Sequence, residues 1–278
     1  MYNLEGKVAL VTGAGGQRGM GRAIATRLAQ EGADVIVNDI APNPYADRSA
    51  DWGGIAQVVQ EIEALGRQAV PVTADVSDSG QVHNMVQQAL SRFGHIDILV
   101  NNAGSRPGPD RVPVVDLEES AFDEVQRVNV KGTFLCSQAV ARQMIRQGQG
   151  GKIIIISSVA GKRGVARYAA YCASKFALVG FTQALALELA PHRINVNAIC
   201  PGLVDTERPE YIAAALAPEG VSAKEQHALM LREGDLRVPL GRVAQADDIA
   251  RTAAYLASDQ SDYLTGLSIS VAGGSNMT

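Results

Sequence analysis

Short apolar segments rich in β-branched residues alternate along this chain with longer segments whose apolar residues recur at helical spacing. A short apolar run is typical of a buried β-strand, and an apolar stripe repeating every three or four residues is typical of a helix. The short segments predict strands at 7–12, 34–38, 69–73, 96–100, 152–156, 194–199 and 267–271. The longer segments predict helices at 21–31, 55–65, 81–93, 122–146, 168–189 and 246–257.

This alternation predicts an α/β fold with a doubly wound parallel sheet of about seven strands, covered by helices on both faces. The composition does not change abruptly anywhere, so residues 1–278 are interpreted as one domain. Two polar stretches that contain proline and glycine, 41–54 and 204–239, interrupt the pattern. Both are predicted to be loops. The longer one is predicted to be a substrate lid, because loops of that length usually cover or bind a ligand.

The composition narrows the class of protein. Of the 278 residues, 46% are hydrophobic and 19% are charged, as in soluble globular proteins. A net charge of −4 gives no basic surface, so nucleic acid is not an expected partner. No apolar run approaches the length of a membrane span, and the N-terminus lacks the layout of a signal peptide, which predicts no membrane association. The three cysteines and four histidines are dispersed, which predicts no disulfide framework, no metal site and a cytoplasmic location.

Residues 12–21 form a glycine-rich segment between the first predicted strand and the first predicted helix. Glycine permits a tight turn and a close approach of the backbone to a ligand. The free N–H groups and the positive dipole end at the start of a helix favour a diphosphate. This order of strand, glycine-rich loop and helix predicts a dinucleotide site. The expected contacts from the loop are made by Gly13, Gln17, Arg18, Gly19 and Met20.

Asp39 lies at the end of the second predicted strand, 20 residues after Gly19. A carboxylate at this point can accept hydrogen bonds from the adenosine ribose hydroxyls, and Ile40 is expected to contact the same part of the cofactor. A 2′-phosphate there would meet a like charge, which costs about 4 kcal/mol at about 4 Å and an effective dielectric near 20. Arg18 could offset part of this repulsion if its side chain turned toward the ribose. The sequence therefore predicts NAD rather than NADP.

Tyr171 and Lys175 lie four residues apart within the predicted helix 168–189, so they share one helix face. A free tyrosine has a pKa of about 10 and exchanges protons poorly near neutral pH. A neighbouring ammonium group favours the phenolate and lowers that pKa. The pair therefore suggests a proton donor and acceptor for chemistry at a carbonyl or an alcohol.

Short motifs follow one another along nearly the whole chain: Thr12-Gly13, Asp75-Val76, Asn101-Asn102-Ala103-Gly104, Asn129, Ser157-Ser158, Tyr171-x-x-x-Lys175 and Pro201-Gly202. Each motif is common by itself, but the ordered set resembles the short-chain dehydrogenase/reductase family. The resemblance implies a single-domain Rossmann fold. One departure concerns the glycine loop, in which five residues separate Gly13 from Gly19, two more than is usual in the family. A longer loop tip is therefore expected.

The resemblance also implies catalytic roles. Tyr171 is expected to be the general acid/base, and its pKa must fall by about three units for it to be half ionised at pH 7. Lys175 is expected to supply a positive charge for this and to hydrogen-bond the nicotinamide ribose. Ser158 is expected to hydrogen-bond the substrate oxygen, with the adjacent Ser157 as the alternative. Asn129 is expected to hold a water molecule near the lysine.

Further cofactor contacts are implied by the same resemblance. They come from loops that follow the third, fourth and sixth predicted strands, where an open α/β sheet places its ligand. The residues concerned are Asp75, Val76, Asn102, Ala103, Gly104, Pro201, Gly202, Val204 and Thr206. The family is commonly tetrameric, so a homotetramer is expected, formed through the helices 122–146 and 168–189.

The favoured hypothesis is an NAD-dependent oxidoreductase that transfers hydride between the cofactor and a small-molecule secondary alcohol or ketone. An alternative is an NADP-dependent 3-oxoacyl carrier-protein reductase, which has the same catalytic residues; Asp39 argues against it. A second alternative is a nucleotide-binding scaffold without turnover. The complete set of Asn129, Ser158, Tyr171 and Lys175 argues against that reading.

Overall fold

The computed structural model describes residues 2–47 and 51–278, and within them a parallel sheet of seven strands forms the centre of the molecule. The strands of the described chain are β1 (Val8–Val11), β2 (Asp34–Asp39), β3 (Ala69–Thr73), β4 (Ile98–Asn101), β5 (Gly151–Ile156), β6 (Ile194–Pro201), β7 (Val204–Asp205), β8 (Ala244–Gln245) and β9 (Ser268–Val271). The large sheet has the order β3-β2-β1-β4-β5-β6-β9, while β7 and β8 pair separately. The predicted strands are confirmed, with ends that shift by at most two residues.

Most strands of the large sheet are buried on both faces, which explains their continuous apolar sequences. All four residues of β1 are buried, and β1 pairs in parallel with both β2 and β4. The order of the strands reverses between β1 and β4, so the chain leaves the sheet in opposite directions there. A crevice opens at the carboxyl ends of the strands at such a point. Many of the cofactor-binding residues predicted from the sequence lie around this crevice, on the loops after β1, β3 and β4 or at the end of β2, while Tyr171 and Lys175 lie on a helix.

Helices cover both faces of the sheet and create two hydrophobic cores. In the part of the chain that the structure describes, the helices are α1 (Met20–Gln30), α2 (Gly54–Ala64), α3 (Ser79–Phe93), α4 (Glu119–Gln126), α5 (Gly132–Gln147), α6 (Ala169–Leu189), α7 (Arg208–Leu216), α8 (Ala223–Arg237) and α9 (Ala246–Ala257). Helices α1, α2 and α9 pack on one face of the sheet. Helices α3, α5 and α6 pack on the other, which confirms the doubly wound α/β architecture.

The predicted helix 122–146 is interrupted in the structure. Helix α4 ends at Gln126, a π-helical turn covers Arg127–Lys131, and α5 then continues to Gln147. Such a turn widens the helix locally and is common at functional sites. Asn129 lies in this turn and is completely buried.

The segment 204–239 is not the loop that its prolines and glycines predicted, because it contains β7, α7 and α8. Pro209 is in the first turn of α7, where proline is tolerated because the N–H it lacks would have no partner in the helix. Ser222 and Glu225 form a reciprocal capping box at the start of α8. Both signals are present in the sequence, but α8 has no apolar stripe, so hydrophobic periodicity does not indicate a helix there.

Helix α6 is the one described segment that is long and apolar enough to cross a membrane, measured by length and composition over Ala169–His192. This corrects the expectation that no apolar run reaches such a length. The apolarity has a structural cause in this fold, because α6 packs against the core of the sheet through Leu178, Ala186 and Leu189. The same helix carries Tyr171 and the buried Lys175.

Candidate active site

Tyr171 and Lys175 lie together on α6 beside the carboxyl end of β5. Lys175 is 5% exposed. Its ammonium group lies 5.6 Å from the centre of the Tyr171 ring and donates a hydrogen bond of 2.8 Å to the carbonyl of Ile156. Burial lowers the pKa of Lys175, which the nearby Tyr171 partly counteracts. The helical spacing thus brings the two groups together as the sequence predicted.

The pKa of Tyr171 is held below its ordinary value. Burial alone would raise it, but the positive charges of Arg208 and Lys175 outweigh that effect, and a hydrogen bond from Ser158 contributes in the same direction. A smaller contribution comes from Arg111. A tyrosine in such surroundings can exchange a proton closer to neutral pH than a free tyrosine.

The two adjacent serines after β5 have different surroundings. The Ser157 hydroxyl is buried and donates a hydrogen bond of 2.9 Å to the carbonyl of Lys175. The Ser158 hydroxyl accepts a hydrogen bond of 3.1 Å from the Ala160 N–H and contacts the Tyr171 phenol. Ser157 therefore fixes the position of α6, whereas Ser158 lies beside the candidate acid/base.

The Asn129 side chain links three segments that surround the site. Its amide group donates a hydrogen bond of 2.9 Å to the Ser174 hydroxyl on α6. Its carbonyl oxygen accepts one of 2.8 Å from the Ser105 N–H. The π-helical turn, α6 and the loop after β4 are thus held together through one buried amide, next to Lys175.

The glycine-rich loop approaches the loop after β4 closely enough to exclude side chains. A Cβ atom on Gly13, which has a φ of +64°, would lie 2.7 Å from the Ala103 Cα. The longer loop tip is held by two contacts: the Gly15 N–H donates to the Asp39 carboxylate at 2.8 Å, and the Trp52 indole donates to the Gly15 carbonyl at 2.7 Å. The loop tip at Gly15 is therefore fixed between Asp39 and Trp52.

Asp39 is buried at the end of β2, and its two carboxylate oxygens accept hydrogen bonds from the N–H groups of Gly15 and Ile40. Burial raises the pKa of Asp39, and these hydrogen bonds oppose the shift. The Arg18 side chain does not turn toward Asp39. It forms ion pairs with Glu210 and Asp205 at the start of the segment 204–239.

A cleft of about 350 Å³ runs from Asp39 past the glycine-rich loop to α7. The residues predicted to contact a cofactor that line it are Gly13, Gly19, Met20, Asp39, Ile40, Asp75, Val76, Asn102, Ala103, Gly104 and Thr206. Other residues predicted to contact the cofactor lie outside its described lining: Gln17, Arg18, Tyr171, Lys175, Pro201, Gly202 and Val204. Val204 is instead buried in β7, where it pairs with Ala244.

Arginines that the sequence did not single out as site residues lie against Tyr171. The Arg208 guanidinium is 5.0 Å from the centre of the Tyr171 ring and also lines the cleft, so it connects the end of the cleft with the candidate acid/base. The Arg111 guanidinium is 4.9 Å from the same ring and 4.2 Å from that of Tyr168. No local sequence signal identifies them, because an isolated arginine in a polar segment is usually a surface residue.

Comparison with known proteins agrees with this architecture. A family model described as short chain dehydrogenase matches residues 7–216. Galactitol 2-dehydrogenase from Agrobacterium fabrum is 41% identical over 276 residues, which cover 99% of each chain. A 3-oxoacyl-acyl-carrier-protein reductase from Staphylococcus aureus is 40% identical over 98% of each chain. The solved structure of carveol dehydrogenase from Mycobacterium avium in complex with NAD matches with a TM-score of 0.87 at 29% identity, over 99% of each chain.

These relatives are similar to almost the entire chain. The similarity agrees with the sheet order, the crevice between β1 and β4 and the Tyr171–Lys175 pair. The comparisons include dehydrogenases of sugar alcohols and a reductase of acyl thioesters, so they establish the reaction class more firmly than the substrate. The chain belongs to the short-chain dehydrogenase/reductase family, whose members are oxidoreductases that bind a nicotinamide cofactor and act on alcohol or keto groups.

Proposed function

We propose that this protein is an NAD-dependent dehydrogenase that oxidises a secondary alcohol to a ketone, and reverses the reaction, with Tyr171 as the general acid/base. The main support is the position of the Tyr171 phenol between the cations of Lys175 and Arg208, which keep its pKa below the ordinary value despite burial. An acid/base group with its pKa shifted toward neutral pH is what alcohol oxidation requires.

The cleft suits a dinucleotide. Its lining provides a carboxylate for the adenosine ribose at Asp39, a backbone turn without side chains at Gly13, and the start of α1 for the diphosphate. Asp75 and Val76, which line the cleft, are proposed to border the adenine, and Asn102, Ala103 and Gly104, which also line it, to lie under the adenosine ribose. When bound, the nicotinamide accepts or donates the hydride.

NAD is the proposed cofactor rather than NADP. Asp39 lines the cleft at the end of β2. The Arg18 side chain forms ion pairs with Glu210 and Asp205, so it does not compensate the charge of Asp39. A 2′-phosphate would therefore experience the repulsion described above. The NAD complex of carveol dehydrogenase, which shares the fold, is consistent with this choice.

The residues near Tyr171 have separate roles in the proposed reaction. Ser158 hydrogen-bonds the substrate oxygen, and Tyr171 takes the hydroxyl proton during oxidation and returns it during reduction. Lys175 stabilises the phenolate by its charge. Asn129, which donates a hydrogen bond to Ser174 on α6, is proposed to hold a water molecule near Lys175 through which the proton reaches solvent.

Assembly and organisation are proposed as follows. The chain folds as a single domain, and the segment 204–239, with its two helices, covers the substrate. Exposed apolar side chains on α5 and α6, among them Phe134, Phe176 and Leu187, provide a surface for a homotetramer. Phe134 and Leu187 are 41% and 79% exposed, which is unusual for side chains of their size and favours a partner surface.

The similarity to 3-oxoacyl-acyl-carrier-protein reductases supports a second candidate function, NADP-dependent reduction of acyl thioesters. The charge of Asp39 disfavours it. Steady-state assays with acetoacetyl thioester and each cofactor separate the two functions.

The experiment that tests the main proposal is a panel of secondary alcohols incubated with NAD⁺, with the absorbance of NADH as readout. At least one alcohol should be oxidised, and Tyr171→Phe should reduce kcat by about 1,000-fold, because general acid/base catalysis contributes about 100- to 10,000-fold. A Tyr171→Phe variant that keeps its activity would refute the mechanism. Binding of NADH without turnover of any alcohol or ketone would favour the scaffold hypothesis.

A further inference from the structure

Three cationic side chains, Lys175, Arg208 and Arg111, lie against Tyr171, and among the described residues a carboxylate pairs with one of them, Arg111. The Lys175 ammonium is buried and hydrogen-bonds a backbone carbonyl. Arg208 donates from Nη1 to the Ser105 carbonyl at 2.7 Å, and its Nη2 is buried without a hydrogen-bond partner among the described residues. The structure shows no carboxylate within ion-pair distance of Arg208 in the described chain.

A third cation lies behind the tyrosine ring. Arg111 is 1% exposed and its Nη1 pairs with the carboxylate of Asp110. Its Nε and Nη2 have no hydrogen-bond partner in the described part of the chain. Asp110 is therefore the one acidic side chain that directly pairs with these three cations among the described residues. Buried charges in proteins are normally paired or hydrogen-bonded throughout, because an uncompensated charge is costly in an apolar environment.

We propose that the substrate carries a carboxylate, which Arg208 binds at the end of the cleft next to Tyr171, so that the enzyme oxidises a hydroxy acid to an oxo acid. The inference rests on the proposed dehydrogenase function. A guanidinium group matches a carboxylate in shape and can bind it through two parallel hydrogen bonds. The oxidised nicotinamide adds a further positive charge to the site, which makes an anionic substrate still more favourable.

The reaction balances with the established chemistry. The carbinol C–H bond breaks and its hydride passes to NAD⁺, while the O–H proton passes to Tyr171 and then to water. The carbinol carbon becomes a carbonyl, so that hydroxy acid and NAD⁺ give oxo acid, NADH and one proton. The carboxylate itself is unchanged and serves to position the reacting carbon.

A diphosphate of the cofactor is the other anion that Arg208 could bind. The substrate is favoured because Arg208 lies against the Tyr171 ring, 5.0 Å from its centre. The glycine-rich loop expected to bind the diphosphate is reached instead by the preceding residue, Glu207, whose carboxylate accepts a hydrogen bond from the Arg18 N–H. Measurements on substrate and cofactor separately distinguish the two anions.

The test compares the wild-type enzyme with Arg208→Met, using D-gluconate, 3-hydroxybutyrate and mandelate, each against its primary amide. The acid that is oxidised fastest should lose about 30-fold or more in kcat/KM in the variant, since a hydrogen bond to a charged group contributes about 1.5–3 kcal/mol. Because loss of Arg208 also raises the pKa of Tyr171, both substrates are compared at a pH on the plateau of kcat for each enzyme, where the corresponding amide should lose less than about threefold. Arg208→Lys should recover part of the loss, because it retains the charge but not the planar geometry.

Arg163→Met is the matched control. Arg163 is an exposed arginine on the loop after β5, with no side-chain contact to the cleft in the described chain. Its substitution should leave the ratio of acid to amide activity unchanged. The Kd of NADH, measured by fluorescence titration, should be the same in wild type and Arg208→Met within about twofold.

Three results would overturn the inference. Equal losses on acid and amide would show that Arg208 acts on Tyr171 rather than on a carboxylate. A weakened Kd of NADH with unchanged discrimination would assign Arg208 to the cofactor. Oxidation of neutral alcohols alone would refute the proposed substrate carboxylate but leave the dehydrogenase function intact. No turnover of any alcohol would refute the proposed function itself.

Discussion

Helix α6 and the segment 204–239 meet at the contact between Tyr171 and Arg208, but different interactions hold them in place. Helix α6 is anchored in the core by apolar side chains such as Leu178 and Leu189. In contrast, α8 has no buried residue, and α7 is tied to the glycine-rich loop by the ion pair of Arg18 with Glu210. Exposed ion pairs of this type contribute at most about 1 kcal/mol each. The candidate acid/base is therefore fixed by packing in the core of the sheet, whereas the covering segment buries fewer side chains, among them Ile212 and Ala213 of α7, and we expect it to move more readily.

This contrast suggests a division of function between the two regions. Substitutions at the Tyr171–Lys175 pair should change the chemical step and its pH dependence. Substitutions in the segment 204–239 should change which ligands bind and how tightly. The following predictions test this division from the largest expected effect to the smallest.

The largest effect is expected for Lys175→Met. The charges of Arg208 and Lys175 hold the pKa of Tyr171 below its ordinary value, and oxidation requires the phenolate. Loss of Lys175 should raise that pKa, so the increase of kcat with pH should move to higher pH. At pH 7 the oxidation rate should fall about 100-fold, within the usual contribution of acid/base catalysis.

The measurement is kcat for alcohol oxidation between pH 6 and 10. Lys224→Met, which removes an exposed lysine on α8, is the control and should keep the wild-type profile. If Lys175→Met lowered the rate equally at every pH, the lysine would be needed for positioning rather than for acidity.

A smaller effect is expected for Asp39→Asn, which removes the charge that faces the adenosine ribose and keeps an acceptor for the Gly15 N–H. The preference for NAD over NADP, expressed as a ratio of kcat/KM values, should fall about 30-fold. This is part of the roughly 4 kcal/mol of repulsion expected for a charge pair at this separation. Asp34→Asn, at the amino end of the same strand, should leave the ratio unchanged. An unaltered ratio in Asp39→Asn would mean that other groups select the cofactor.

The two regions also differ in how well the sequence predicts them. The strands could be located because β-branched apolar runs such as that of β5 must be buried on both faces. The sequence pattern also brought Tyr171 and Lys175 together correctly, because their separation depends on helical geometry alone. Helix α8 is not predicted because none of its residues is fully buried and it has no apolar stripe.

The contacts that distant segments make with the site could not be predicted from the sequence, for a different reason. Arg111 follows β4 and Arg208 begins α7, so their approach to Tyr171 depends on tertiary packing. Arginine has no local pattern that separates a buried guanidinium from a surface one. The π-helical turn at Asn129 was also hidden, because its sequence continues the helical periodicity of α4 and α5.

The smallest effect concerns Glu207, which joins the covering segment to the glycine-rich loop. Its carboxylate is 5% exposed, accepts a hydrogen bond from the Arg18 N–H and has a second oxygen, Oε2, without a partner in the described chain. Burial raises the pKa of Tyr45 to about 12, and the nearby carboxylates of Glu207 and Asp39 act in the same direction. A diphosphate that used the same N–H would have to displace Glu207 and would meet its charge.

Glu207→Gln should therefore tighten the binding of NADH about threefold to tenfold. The substitution removes the repulsion between the Glu207 carboxylate and the diphosphate, which at a partly solvated site is worth about 1 kcal/mol. Fluorescence titration of NADH measures the Kd directly. Glu210→Gln is the matched control: it breaks the ion pair with the Arg18 side chain but leaves the loop N–H groups as they are, so its Kd should change by less than about twofold. Weaker binding in Glu207→Gln would mean that the carboxylate orders the loop for the cofactor instead of competing with it. The covering segment would then be part of the fixed site, and the division between a rigid acid/base and a movable cover would fail.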